Sequence, residues 1–520
     1  MSAKPWTVCI KYPVCGMIEQ TEGDEKMPAC AVEDGRKLTG DFDADLRIFC
    51  ELFRLDGTFR RREVRTPAGV RCALLYLDGM VSGETVHEAV IRPLLSSGEP
   101  AGDPALWLCE TVLYAADVKP CDRVRDLLRA MLYGDSVLLV GGAGTALVIN
   151  TKGFRTRGIS EPENEAVQKG PREGFDEIAM LNLSQLRRRL QTPDLAVEIL
   201  RVGRRTDTMV FVCYLESLAG ARLVREVKRR LGEISIDGIL DANYIAELTR
   251  DHPFSLFETA GSSERPDVIA SKLLEGRVAL IVDGTPMVLT VPYLFCENFQ
   301  SDEDYYLNFW VSSMGRFLRY VCFFLTVSVP ALYLALLTRH TRLLPTYLLL
   351  SAAESRAGVP FSSLVECLVL ILILEILGET GARMPQGLGH TLSIVGGLVV
   401  GQAAVEARLV SAPMLIVVAL SGIAGLMVPR LRGAVIYGRV GMVLLAAGLG
   451  LPGCFLGLTV IAVRLTGLHS FGVPYLSTLE HPDLQGLKDT VWRLPWRFMR
   501  TRPAFSRNRV RQRGGRRRAD

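Results

Sequence analysis

The chain holds 520 residues, 49% of them hydrophobic and 22% charged, with a formal net charge of +4. That length exceeds one hydrophobic core and predicts about three units at roughly 150 residues each. The positive charge is local, because eleven arginines from Arg493 to Arg518 fall in the last thirty positions; the remainder is net acidic, and nucleic acid is not an expected partner. The twelve cysteines are scattered without paired spacing, which excludes a disulfide framework or a zinc ribbon and points to reduced thiols.

Residues 1–42 read as a leader, partly disordered, without the uninterrupted apolar core of a signal peptide. The soluble part of the chain is therefore expected in the cytoplasm. Residues 43–175 form a first α/β subdomain. A short strand at 71–76 is followed by a turn at Asp78-Gly79 and a helix starting near Ser82, with Glu84 in its first turn. Residues 138–150 carry Gly141, Gly142 and Gly144 but lack both GxGxxG and the lysine of a P-loop, so they predict a hairpin and not a phosphate cradle.

A second α/β subdomain spans 176–310. It has a buried strand at 208–215, a helix at 219–231, and a hairpin of 280–283 with 287–291 around Gly284. Only six histidines occur and none sits at ligand spacing, so no enzyme, cofactor or metal site is expected.

Residues 311–465 change character, and an α-helical polytopic membrane domain of four or five helices is predicted. About twenty apolar residues are needed to cross a bilayer. The runs 320–338, 384–405, 409–429 and 440–463 qualify, while 362–377 is shorter and carries Glu366 and Glu375. A carboxylate near a bilayer centre costs about 2.5–3.5 kcal/mol, so these two are candidate pore residues. At about 100° per residue, nine positions put them on opposite faces of one helix, as a pore-lining or inter-subunit helix requires; an interfacial helix with its acids in the headgroups is the alternative. Glu379 and Arg383 are spaced to pair along a continuing helix. Gly397 with Gly401, and Gly453 with Gly457, form GxxxG pairs suited to close helix packing. Gly450-Leu451-Pro452-Gly453 breaks the 440–463 run, and basic flanks on both its sides fit a re-entrant segment. Arg430, Arg432, Arg439 and the tail at 466–520 predict both termini on the cytoplasmic side with an even number of crossings, four being favoured. The tail itself needs no role beyond setting topology, although it has the charge to bind anionic lipid.

Several blocks together resemble the GerA-type spore germination family, A subunit. Gly170, Pro171, Arg172, Glu173, Gly174 and Phe175 follow Glu161-Pro162 and precede Asn182. Further matches are 264–267 (ERPD), 274–277 (LEGR), 282–284 (VDG), 299–306 (FQSDEDYY), 344–346 (LPT), 358–361 (GVPF), Glu366, 393–396 (SIVG) and 470–475 (SFGVPY). The chain departs from the family pattern at Gly378, Arg408 and Arg342. The likeness is dense over 160–480 and loose over 43–160. It implies a multi-pass protein of the spore's inner membrane that works with a polytopic B subunit and a lipoprotein C subunit, self-associating into a nutrient-gated cation channel. The 170–175 block would serve coupling, and the nutrient would bind the B subunit. A relative encoded with the dipicolinic-acid channel shares this architecture, so an accessory subunit of that channel stays open, as does a non-conducting scaffold. A solute transporter would carry inverted repeats, and no internal repeat is evident in the sequence.

Overall fold

The computed structural model describes residues 36–510 other than 100–101, 154–164, 166, 168, 384–400, 478–487, 500, 504 and 509. Two five-stranded antiparallel sheets make up the soluble part. The first contains β1 (Phe59–Arg65), β2 (Arg71–Leu77), β3 (Val118–Cys121), β4 (Ser136–Val140) and β5 (Ala146–Ile149), in the order β1-β2-β4-β5-β3. Successive side chains point to opposite faces. Ala73, Leu75, Val137 and Leu139 accordingly pack under the helices Phe42–Leu52 and Val124–Leu132, whereas Cys72, Leu74, Leu138 and Val140 face Val86, Val90, Leu94 and Leu108. Helices on both faces explain why β4 reads SVLLV, buried throughout.

The second sheet holds β6 (Leu195–Val202), β7 (Thr208–Leu215), β8 (Gly261–Ser263), β9 (Val278–Val282) and β10 (Val288–Val291), in the order β6-β7-β9-β10-β8. This is the strand order of the first sheet. In each unit a helix ends at a glycine with positive φ (Gly134, 101°; Gly276, 88°) that feeds a fully buried strand and then a hairpin. The soluble region is a structural duplication, which the sequence reading did not find. Its trace survives where 132–149 can be laid on 274–291, while the outer strands diverged: β1 reads FRRREVR and is largely solvent-exposed. The two units are locked by a buried ion pair, Arg187 Nη2 to Asp56 Oδ2 at 2.5 Å, and by Gly57 N–H donating to Val197 O at 2.8 Å.

A helical bundle follows, formed by Phe309–Thr338, Ser363–Arg383, Ala412–Gly425, Arg432–Leu449 and Leu451–Thr466. Phe309–Thr338 and Pro429–Leu449 are long and apolar enough to cross a bilayer; Ala412–Gly425 and Leu451–Thr466 are apolar but shorter. The 409–429 run thus yields a 14-residue helix, and most of the 384–405 run lies outside the described residues. The 440–463 run is split. Gly450 takes φ 70° and ψ −141°, a region open to glycine, and Pro452 starts a new helix. The chain reverses there, so that Gly453 faces the carbonyl of Leu445, and Gly457 faces Met442. A Cβ at either glycine would stand 2.2 Å from its neighbour. Gly401 is looser, 3.4 Å from Leu415 by the same measure, and Gly397 lies outside the described residues.

The helices alternate between two ends of the bundle. The domain-proximal end is marked by Arg316 with Asp304, Arg430 with Glu165 and Arg432 with Glu379. The distal end is marked by His340 beside Gly450, Arg356 with Glu366, Glu366 with Ser411, and Arg408 against Gly358.

Candidate functional site

Of the blocks singled out in the sequence, 170–175, 264–267, 299–306 and 470–475 converge where the soluble region meets the proximal end of the bundle. Residues 295–305 fold into two short 3-10 turns, Phe295–Phe299 and Asp302–Tyr305, the second inside the 299–306 block. In the first, Glu297 Oε1 accepts from Leu294 N–H at 2.7 Å; in the second, Asp304 Oδ2 accepts from Ser301 N–H at 3.2 Å. Capping by a carboxylate satisfies the orphan amide of each turn. The second cap also aims Asp304 at the first bundle helix.

Asp304, 2% exposed, accepts from Arg316 Nε at 2.8 Å and from both terminal nitrogens of Arg319 at 2.9 and 3.1 Å. Arg316 is fully buried and spends its Nη1 on Asp489, 2.8 Å to Oδ1 and 2.9 Å to the backbone carbonyl. Tyr305 O–H donates to Asp489 Oδ2 at 3.0 Å, and Arg493 Nη1 donates to the carbonyls of Asp304 and Leu307 at 2.8 and 3.0 Å. Burial pushes the Asp489 carboxyl above its ordinary value. This first cluster ties together the motif turn, the first bundle helix and the chain's C-terminal segment.

A second cluster sits beside it. Glu165 accepts from Ser263 Oγ at 2.5 Å, from Glu264 N–H at 3.2 Å and from Arg430 Nη2 at 3.2 Å, so one carboxylate bridges β8 and the bundle. Burial pushes the Glu165 and Asp302 carboxyls up. Arg265 grips Asp267 through two bonds of 3.1 and 2.6 Å, and Tyr306 O–H donates to the same carboxylate at 2.5 Å. Gly170, at φ 137°, lets the chain run against the Tyr306 ring, where a Cβ would come within 3.0 Å. Phe175 is buried and its N–H donates to Glu264 O at 2.7 Å. Glu173 pairs with Arg189 at 2.7 Å. Pro171, Arg172 and Glu173 border a cleft of about 450 Å³ with Tyr133, Arg188 and Arg189. The 170–175 and 264–267 blocks thus form one bracket around Tyr306.

The 470–475 block closes the third side. Ser470 Oγ donates to Thr259 O at 2.6 Å and accepts from Tyr293 N–H at 2.9 Å, and Asn298 Nδ2 donates to Tyr475 O–H at 3.0 Å. Glu297 lies buried between Arg277 and Lys272, each at 2.6 Å.

Within the bundle, Glu366 is fully buried, and its Oε1 accepts from Ser411 N–H at 2.6 Å and Oγ at 2.5 Å; Arg356 Nε is 3.9 Å from its other oxygen. The carboxylate caps the Ala412–Gly425 helix, where negative charge is favoured. Glu375 pairs with Arg439, whose Nη1 also reaches Ser421 Oγ at 3.3 Å. The two acids do find polar surroundings on two sides of their helix, and on both sides the partner belongs to the same chain. Arg439 is a buried interior residue and not the helix flank that its charge suggested. Glu379 pairs with Arg432 at 3.5 Å; the Arg383 side chain lies outside what is described. Asp489, Arg493, Arg316 and Arg319 were missed as site residues because charge at a helix end or in a basic tail reads as topology. Their signal was Asp489, the last acid before the run of arginines. Among the described residues no cluster of histidine, cysteine and carboxylate side chains is arranged to hold a metal.

The chain matches the family model described as Bacillus/Clostridium GerA spore germination protein over residues 48–505. It is 39% identical over 437 residues to spore germination protein KA of Bacillus subtilis (strain 168), covering 84% of this chain and 80% of that protein. It is 36% identical over 432 residues to the uncharacterized membrane protein YfkQ of the same organism, covering 83% and 84%. Among solved structures, the N-terminal domain of the A subunit of the Bacillus megaterium spore germinant receptor GerK3 aligns over 51% of this chain and 99% of that one, at 29% identity and a TM-score of 0.41.

Proposed function

The chain belongs to the GerA spore germination protein family, and from that membership we propose that it serves germination as the A subunit of a membrane-embedded germinant receptor. Partner B and C subunits complete that receptor. In this reading the bundle lies in the spore's inner membrane with both termini on the cytoplasmic side. The bundle begins at Phe309 and ends at Thr466 on the domain-proximal side, which supports an even number of passes.

Several copies then assemble around a cation conduit, and the soluble duplication relays the state of its partners to the bundle. The observation that carries the relay is the junction: Asp304 and Glu165, set in soluble-domain turns, hold Arg316, Arg319 and Arg430 at the bundle's entrance. Buried charge pairs of this kind favour discrete arrangements over graded ones, since any intermediate strands a charge. The deciding measurement is the mass of the detergent-solubilised particle together with cation flux through vesicles containing it. A monomeric particle, or vesicles as tight as protein-free ones when partners and nutrient are supplied, would rule out the conduit.

One observation favours a second reading, a non-conducting scaffold or an accessory subunit of the dipicolinic-acid channel. Glu366 and Glu375 each find a partner within one copy, Ser411 and Arg439, so neither charge depends on a neighbouring copy for its pairing, although the second oxygen of Glu366 accepts no hydrogen bond. Unaltered flux and germination in E366Q and E375Q, alongside an intact oligomer, would move the conduit away from these carboxylates.

A further inference from the structure

The loop after residue 251 is a part of the soluble region that lies at bundle depth. Asp304 and Asp489 hold Arg316 and Arg319, which fixes the polar boundary on the first bundle helix. Phe323 and Val327 follow Arg319 by four and eight residues, ~6 and ~12 Å further in at about 1.5 Å per residue. Leu256 and Phe257 nevertheless line one groove of about 270 Å³ with Phe323, Val327, Tyr437 and Arg464.

The loop is held there. Ser255 Oγ accepts from Phe257 N–H at 3.1 Å and donates to Phe257 O at 3.0 Å, and Phe257 packs edge-on against Phe295. Its tip is bare: Phe254 is 101% exposed and Leu256 53%. The Arg464 side chain, in the last turn of its helix, makes no hydrogen bond or ion pair among the described residues.

An aromatic tip, an apolar groove running into the bundle, and a cation at its rim together match a phospholipid: an acyl chain along Val327 and Tyr437, a phosphate at Arg464. We propose that loop 252–257 is a membrane finger of the soluble region and that the groove beneath it holds an anionic phospholipid. The inference rests on the bilayer location of the bundle proposed above. Continuity with bundle helices supplies the occupant, since Leu256 shares the groove with Tyr437 and Val460, which are 65% and 50% exposed.

The test places the photoreactive p-benzoylphenylalanine at position 254, 463 or 114 of the full chain in phosphatidylglycerol/phosphatidylcholine vesicles. Position 463 reports the bundle surface and position 114 the remote soluble surface. Lipid adducts at 254 and 463, with none at 114, are expected. Adducts at 463 and none at 254, or an adduct of 254 to protein in place of lipid, would overturn the finger while leaving the bundle in the membrane. Absence at both would overturn the membrane reading itself. A preference of the 254 adduct for phosphatidylglycerol of about fivefold is expected from one basic residue, and R464Q should abolish it. An equal preference in R464Q would overturn the headgroup assignment.

Discussion

Replacing Asp304 by Asn removes one charge from the junction and keeps its volume. Three guanidinium hydrogen bonds end on this carboxylate, from Arg316 and Arg319, and an amide replaces an acceptor oxygen with a donor facing those donors. Breaking a buried pair by deleting one partner costs about 3–5 kcal/mol. The lower end applies here, because Arg316 keeps Asp489 and the Arg319 side chain is 19% exposed and reaches water. A loss of about 3 kcal/mol corresponds to roughly a hundredfold in the opening equilibrium. Hydrogen exchange of the amides of residues 304–319 in lipid nanodiscs reads that equilibrium directly. Protection should fall about a hundredfold in D304N, with the strands β7 and β9 unaffected. A companion, D304L/R316M, removes that pair but leaves Asp489 and Arg319 without their partners, so it should recover only part of the loss. Exchange unchanged within about threefold in D304N would refute the idea that this carboxylate fastens the first bundle helix to the soluble region.

Gly453→Ala should destabilise the bundle by about 2–3 kcal/mol and Gly457→Ala by under ~1 kcal/mol, because the added methyl meets a backbone carbonyl in the first case and a flexible methionine in the second; equal losses of thermal stability in detergent would contradict the hairpin geometry. Burial pushes the Glu297 carboxyl up, but Arg277 and Lys272 outweigh that and hold it below its ordinary value. Its stabilising contribution is therefore complete above an unfolded-state pKa near ~4.3 and is lost as pH falls through the lower folded value. An acid titration of the second α/β unit should show this limb in the native chain and lose it in E297Q; identical limbs would assign acid unfolding elsewhere. Ending the chain at residue 510 should leave exchange at residues 304–319 as it is, whereas ending it at 487 removes Asp489 and Arg493 and should loosen that segment as D304N does. A chain ending at 487 with native protection would reduce the tail to a topology signal.

The hairpins around Gly141 and Gly284 were legible because two apolar runs joined by glycine leave few alternatives, and β7 was legible because TMVFVCYL is buried on both faces. β1 was not, since an exposed edge strand of arginines has no apolar alternation to read. The four apolar runs read as membrane helices, but a run of the right length does not say whether the chain continues or turns back: Gly450 decided that by adopting a backbone shape that pairs two helices.

Composition and local pattern by themselves determined that this chain has a soluble α/β part and an apolar helical part, and the ordered blocks determined its family. Both depend on which residues lie near one another in sequence, where periodicity and turn chemistry act. Tertiary structure alone decided that Asp489 meets Arg316 across 173 positions, that Glu375 meets Arg439 across 64, and that two sheets with little shared sequence repeat one strand order. A charge in a sequence carries a sign and no address; its partner is chosen when burial removes water and leaves only the neighbour that folding brings within reach.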